Sequence, residues 1–258
     1  RPWGDDGRVR EIFFCDECHN VWWTRQWKRQ AGYVGEFCPE CGRQSYKLPK
    51  GGNMNVELVN YTDQPELEIA ERSSQSHDGD VNGLDDAKRM IGDFIKWGHY
   101  STLEFASATF DIEDISRSCL AQLTRHRHAS YMVKSQRYNR ADEEAFVVPK
   151  ELHEWADQSD KNMERFNKWL SETKKMYSEA VDDGVPKEDA RFMMPLGTTT
   201  SLSMTANFRE WRHIISLRGL NDGAQWEIRQ LALEILEDLY DIAPSVFEDQ
   251  YLAVDNDG

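Results

Sequence analysis

Long apolar runs are missing from this sequence. None approaches the roughly 20 residues that a membrane-spanning helix needs, so a transmembrane protein is not expected. No signal-peptide pattern opens the chain, and the expected compartment is the cytosol. The sequence begins at Arg1 rather than methionine, which leaves its true start open. Positive charge is also scarce. There are 31 Lys and Arg against 46 Asp and Glu, a net charge of −15. Such a surface does not attract nucleic acid or anionic lipid in general. An anionic ligand would need a local positive pocket. Unpaired cysteine is scarcer still: four of the five cysteines form two close pairs, and only Cys119 stands apart. Length and composition then set the frame. At about 100–200 residues per domain, 258 residues make one large domain, or a large one and a small one.

The paired cysteines mark the small one. "CDEC" (Cys15, Cys18) and "CPEC" (Cys38, Cys41) are separated by nineteen residues. Two C-x-x-C turns at this distance supply the four thiolates of a tetrahedral zinc site. A disulfide pairing competes, but nothing indicates secretion. "CDECH" also fits a haem-attachment pattern, which the second pair makes the weaker reading. Phe13, Phe14, Trp22, Trp23, Trp27, Tyr33 and Phe37 crowd the same stretch. A module of about 40 residues rarely folds without a metal or disulfide, so a structural zinc in a ribbon-like module over residues 1–50 is expected. From Arg8 to Lys50 there are eight Lys/Arg against five Asp/Glu. That balance leaves room for nucleic-acid contact or for docking to a partner. "LPKGGN" (Leu48–Asn53) reads as a linker.

Residues 51–258 form the expected second domain. "MNVELVN" (54–60), "LEFASATFDI" (103–112), "EEAFVVP" (143–149) and "TTTSLSMTANF" (198–208) read as strands. "DQPELEIAERSSQS" (63–76) reads as a helix. "GLDDAKRMIGDFIKWG" (83–98) has apolar residues every three or four positions and Gly98 to close it. "IEDISRSCLAQLTRHR" (112–127) is expected to be a helix with Ile115, Cys119, Leu120 and Leu123 on one face. Cys119 fits a small buried hydrophobe there. "SDKNMERFNKWLSETKKMYSEAVDDG" (159–184) reads as a long amphipathic helix. "GVPKEDARFMMP" (184–195) places Pro186 in a helix's first turn and Pro195 as its stop. "GAQWEIRQLALEILEDLYDIA" (223–243) repeats Ile228, Leu231, Ile235, Leu239 and Ile242 on one helical face. Strands and helices without regular alternation indicate an α+β fold.

"TRHRHASYMVKSQRYN" (124–139) carries four cations and two histidines in an acidic chain. Forked guanidinium groups suit phosphate and pyrophosphate, and Ser130 and Ser135 add hydroxyls. A nucleotide site is expected rather than a solvated basic loop. At this point "RHRHASYMVKSQRY" resembles the signature of the flavin-dependent thymidylate synthases. "KWGHYSTLEF", "GVPKEDARFMMPL", "NFREWRHIISLR" and "AQWEIRQLA" resemble further segments of that family, in the same order, from about Met54 to Tyr251. The zinc module lies outside the resemblance.

The resemblance implies a mixed or antiparallel central sheet with packed helices. It also implies methylation of deoxyuridylate to thymidylate, with methylenetetrahydrofolate as one-carbon donor, FAD as flavin and NADPH as reductant. Ser101, Arg125, His126, Arg127, Asn207, Arg209 and His213 would bind FAD. Gln122, Arg125, Ser135, Gln136, Arg137, Arg191 and Arg218 would bind deoxyuridylate. Arg218 would stabilise negative charge on the pyrimidine. His99 would lie near the flavin, where folate enters. Sites shared between subunits, and hence a homotetramer, follow from the same resemblance. Each residue also has a plainer reading: Arg191 in a helix ion pair, Arg218 at a helix C-terminus, His213 in a core. His128 receives no role, and Glu104 and Glu227 read as structural.

The pattern departs in three places: Ser101 stands near where threonine is usual, the stretch between Arg218 and Ala224 is slightly longer, and the third lies before the signature serine. A polar pair usually precedes the signature serine; here Met132 and Val133 stand there. An altered pyrimidine substrate or a hydroxymethylated product is the alternative this raises. A second alternative is a nucleic-acid- or partner-binding protein in which the flavin domain is only a scaffold.

Overall fold

A computed structural model describes residues 10–14, 21–25, 46–47, 54–76 and 80–256. It resolves two compact units, Arg1–Pro49 with Glu248–Gly258, and Lys50–Phe247. In the first, β1 (Arg10–Phe14), β2 (Val21–Arg25) and β3 (Tyr46–Lys47) form an antiparallel sheet in the order β2-β1-β3. The four cysteines expected to hold zinc lie outside the described residues.

The second unit is built on an antiparallel sheet. Its strands are β4 (Asn55–Tyr61), β5 (Ser107–Ser116), β6 (Ala129–Val133) and β7 (Thr199–Asn207), in the order β4-β5-β7-β6. Alternation along the two central strands decides its sides. Ala108, Phe110 and Ile112 pair with Ala206, Met204 and Leu202, and all six are buried. The intervening residues are polar and bond each other: Thr109 with Thr205 at 2.6 Å, and Ser203 donating to Asp111 at 2.5 Å. Late in β5 the pairing steps from Ile112–Leu202 to Ile115–Thr200, so Glu113 and Asp114 oppose Ser201 alone. Asp114 absorbs this bulge with φ of 58°, in the left-handed region that short polar side chains tolerate. Ile115 therefore returns to the core beside Ile112, and both are fully buried.

The helices are α1 (Pro65–Ser74), α2 (Leu84–Trp97), α3 (Arg117–Leu123), α4 (Lys150–Asp157), α5 (Asp160–Asp182), α6 (Lys187–Ala190), α7 (Phe208–Ile214), α8 (Trp226–Ile242) and α9 (Pro244–Asn256). The mixture of helices with an antiparallel sheet is the α+β class expected. No helix among the described residues is long and apolar enough to cross a membrane. Gly98 closes α2 at φ of 74°, a conformation that suits glycine. Trp211 of α7 packs edge-on against Phe110 at 5.2 Å and donates its indole N–H to the Ala108 carbonyl at 3.1 Å. That contact seats α7 on the sheet. The α8 face holds: Ile228, Leu231, Ile235 and Leu239 are buried, while Ile242 is half-buried.

Four expectations need correction. Residues 112–116 stay in β5 rather than opening a helix, because Ser116 is the N-cap: its hydroxyl accepts from the Cys119 amide at 2.9 Å, and helical geometry starts only after a cap. Residues 100–105 form a short 3-10 helix, so β5 starts only at Ser107. Residues 143–149 contribute a single bridge, Phe146 with Thr198. Pro186 is the N-cap of α6, one position before its first turn. The unexpected strand is β6, whose basic sequence pairs along β7 from Ala129–Ala206 to Val133–Leu202.

Glu227, in the first turn of α8, is buried. Its two oxygens accept from the Ser116 amide at 2.6 Å and the Ser116 hydroxyl at 2.5 Å. Burial pushes its carboxyl above the ordinary value, against the two Ser116 bonds, which pull it down. A raised folded pKa confers stability that is full below the unfolded value and fades as pH rises through the folded one. Unfolding by urea should therefore show stability declining as pH rises above the ordinary 4.5, with Glu227→Gln flattening that decline. Glu227→Ala strands both Ser116 donors and should cost about 1–3 kcal/mol. Parallel pH profiles for wild type and Glu227→Gln would contradict this account.

Candidate active site

α3 ends at Thr124, and a turn then carries Arg125, His126, Arg127 and His128 into β6. On the neighbouring strand, where Ala206 pairs with Ala129, Asn207 closes β7 and caps α7, its side chain accepting from the Glu210 amide at 2.9 Å. α7 runs directly into a π-helical turn, Ile215–Gly219. Such turns displace side chains from the α-helical spacing and recur at functional sites. Leu220 N–H to Ile215 O at 3.0 Å and Arg229 Nε to Gly219 O at 3.1 Å hold its far end.

These segments and the 3-10 turn enclose an open cleft of about 1100 Å³. Arg125, His126, Arg127 and His128 line one side; Asn207, Arg209, Glu210, Arg212 and His213 line another. Ser216, Leu217 and Arg218 come from the π turn, Tyr100 and Glu104 from the 3-10 segment. Five of the fourteen are arginines and two are carboxylic acids.

The charges are held in different ways. Arg209 pairs with Glu104 at 2.5 Å, both side chains about half exposed. Arg212 is buried, donates to the Val246 carbonyl, and lies 5.6 Å over the Tyr100 ring. Arg218 donates Nε–H to Nε2 of His126 at 3.1 Å. His126 is 4% exposed. Burial first, then Arg218, then His213 push its pKa down to about 4. Its ring meets His213 edge-on at 5.7 Å. The Tyr131 hydroxyl lies 2.8 Å from the His126 carbonyl and 2.9 Å from that of Leu123. Burial, then Glu210, push that phenol up to about 12. The cleft is a set of forked donors and imidazoles suited to a phosphate-bearing ligand with a flat ring.

Residues 57–245 match the family described as "Thymidylate synthase complementing protein". The flavin-dependent thymidylate synthase of Pyrococcus furiosus is 38% identical over 200 residues, 72% of this chain and 79% of that one. That of Haloarcula marismortui is 34% identical over 233 residues, 76% of this chain and 94% of the other. That of Geobacter sulfurreducens is 37% identical over 207 residues, 76% and 86% of the two chains. This chain belongs to the flavin-dependent thymidylate synthase family.

The residues assigned by family resemblance divide into two groups in space. Arg125, His126, Arg127, Asn207, Arg209, His213 and Arg218 all line the cleft. Gln122, His99, Ser101, Ser135, Gln136, Arg137 and Arg191 do not. Gln122 donates to the Gln225 side chain at 3.4 Å. His99 is exposed, edge-on to Trp97 at 5.8 Å. The Ser135 hydroxyl accepts from the Arg137 amide at 3.2 Å. Arg137 and Arg191 both meet Glu188, at its carboxylate (2.7 Å) and its carbonyl (3.0 Å).

Sequence reading omitted Tyr100, Glu210, Arg212, Ser216 and Leu217, gave His128 no role and read Glu104 as structural. Glu210 was within reach: Asn207-x-x-Glu210 is a capping-box pattern that places this carboxylate in the first turn of α7. Arg212 carries no such mark, because only the tertiary fold buries it. The Glu104–Arg209 pair is exposed enough to contribute about 0.2–1 kcal/mol at most. Glu104→Gln should leave stability nearly unchanged and tighten pyrophosphate binding to flavin-free protein, read by calorimetry; weaker binding in the variant would show that Glu104 does not compete for Arg209.

Proposed function

We propose that this chain methylates deoxyuridylate to thymidylate, with methylenetetrahydrofolate giving the carbon, FAD as flavin and NADPH as reductant. The convergence of Arg125, Arg127, Arg209 and Arg218 on one cleft, in a chain of net charge −15, carries the reading. That donor set fits FAD: guanidinium forks match its pyrophosphate, and Tyr100 and His213 offer rings beside it. When bound, the reduced flavin supplies the hydride.

The chain's own residues then divide the work. Arg125, Arg127, Asn207, Arg209 and His213 hold the cofactor, with His126 beneath them. Gln122 and Arg125 hold the nucleotide. Arg218 faces the pyrimidine and balances the negative charge that develops as the ring N–H ionises, which makes carbon 5 nucleophilic. A fixed cation aimed at developing charge is the usual way to lower such a barrier. Among the described residues the one cysteine, Cys119, is not a nucleophile: it is fully buried, and burial pushes its thiol well above the ordinary range, where thiols are inert.

Ser135, Gln136, Arg137 and Arg191 complete the nucleotide site from a neighbouring subunit, in a homotetramer. Their position outside this cleft in one subunit supports that arrangement. Residues 1–50 make a separate module whose four cysteines bind structural zinc. Removing that metal with a chelator should lower the intact mass by one zinc and leave flavin absorbance in place.

Met132 favours a second reading. It is 76% exposed on β6, where the family usually has a polar residue, and Val133 beside it cannot accept a hydrogen bond. A changed base or a hydroxymethylated product would follow. Purified protein should be incubated with methylenetetrahydrofolate, NADPH and either deoxyuridylate or deoxycytidylate, and the product weighed. Thymidylate from deoxyuridylate alone is the expected outcome. A hydroxymethyl product, or turnover only of deoxycytidylate, would replace it with the second reading.

A further inference from the structure

We propose that His126 is a positioning residue for Arg218: its buried imidazole offers Nε2 as the acceptor that fixes the guanidinium and leaves both terminal nitrogens for the cleft. The inference rests on the reaction proposed above and adds a residue to it.

The geometry has three parts. First, Arg218 sits in a π turn, where the backbone alone does not determine where a long side chain points. Its Nε–H to His126 Nε2 bond, 3.1 Å long, is the contact that fixes it. Second, an accepting Nε2 requires the ring proton on Nδ1. Nδ1 faces a Glu210 oxygen at 3.7 Å. That is too long for a hydrogen bond, but it is the right sign of charge to favour a proton on that nitrogen. Third, the imidazole is itself immobilised. Its residue donates N–H to the Leu123 carbonyl at 3.2 Å, its carbonyl lies 2.8 Å from the Tyr131 hydroxyl, and His213 meets the ring edge-on.

The groups facing the ring are Arg218 from the π turn and Glu210 and His213 from α7, while Tyr131 from β6 meets its backbone carbonyl. Buried among them, the ring stays neutral near neutral pH, its pKa held down at about 4. A neutral acceptor leaves the arginine's full charge for the ligand. A carboxylate in the same place would cancel much of it.

Selective nitrogen-15 labelling of histidine in the full-length protein tests the pair directly. His126→Gln identifies the resonance. At neutral pH the Nε2 of His126 should be unprotonated and Nδ1 protonated, and Arg218→Ala should shift the Nε2 signal. A His126 protonated on Nε2, or an Nε2 signal unmoved by Arg218→Ala, overturns the proposal. Kinetics test the consequence. His126→Leu should lower kcat by about 100-fold, the scale of an ångström misplacement, with the KM for deoxyuridylate little changed. His126→Gln keeps an oxygen where Nε2 was and should retain most of the rate. In an Arg218→Ala background, His126→Leu should cost nothing further; equal losses in both backgrounds also overturn it. If the wild-type protein makes no thymidylate, the proposed reaction fails instead, and the nitrogen spectra still decide the pair.

Discussion

Glu227 bridges α8 and the corner where β5 becomes α3, and the cleft depends on that bridge. Both of its oxygens are taken by Ser116, and the same serine caps α3. Two residues before Glu227, Gln225 caps α8 and also receives Gln122 from α3. α3 is therefore tied to the start of α8 near both of its ends. The turn with Arg125, His126 and Arg127 leaves α3 at once, and the π turn with Arg218 precedes α8. A binding site needs its groups placed to within about half an ångström. Here the short α3 and the longer α8, locked to each other by three polar contacts, set the distance between the two halves of the site.

Concentrated cations repel one another, and the cleft resolves this without neutralising itself. Arg218 leans on an uncharged ring, Arg212 on a backbone carbonyl, and Arg209 on a carboxylate. The first two arrangements orient a charge without spending it. The third is an exchangeable pairing, because a phosphate oxygen can take the place of the Glu104 oxygen. Arg137 and Glu188 repeat that exchangeable pattern outside the cleft. Orientation and availability are thus separated among residues of one type.

Periodicity made most of the second unit legible. β4, β7, α1, α2, α5 and α8 follow from apolar spacing and caps, and the class α+β follows from their order. Two kinds of local structure escaped. The corner at Ser116 reads as helix because β-branched Ile112 and Ile115 also fall at helical spacing; only the Ser116 cap and the Asp114 bulge separate the two interpretations. β6 received no strand in the sequence, because an edge strand with one open side needs no apolar alternation. Of the site, the fixed charges were legible from motif resemblance, and seven of those residues do share the cleft. What motif resemblance left dark was the set of partners, Glu210 and the π turn among them, because these exist only once α7 is seated on the sheet.

The bulge at Asp114 has a further consequence for that seating. A strand shows its residues inward and outward in strict alternation, so it runs in one of two phases. One extra residue moves β5 from the first phase to the second just before its end. Ile115 thereby stays inside, and Ser116 turns to the opposite side, toward α8. Flattening the bulge with every residue kept would bring the serine round to the wrong side and leave Glu227 with no donor. The helix–helix tie thus depends on one left-handed strand residue as much as on the groups that make it.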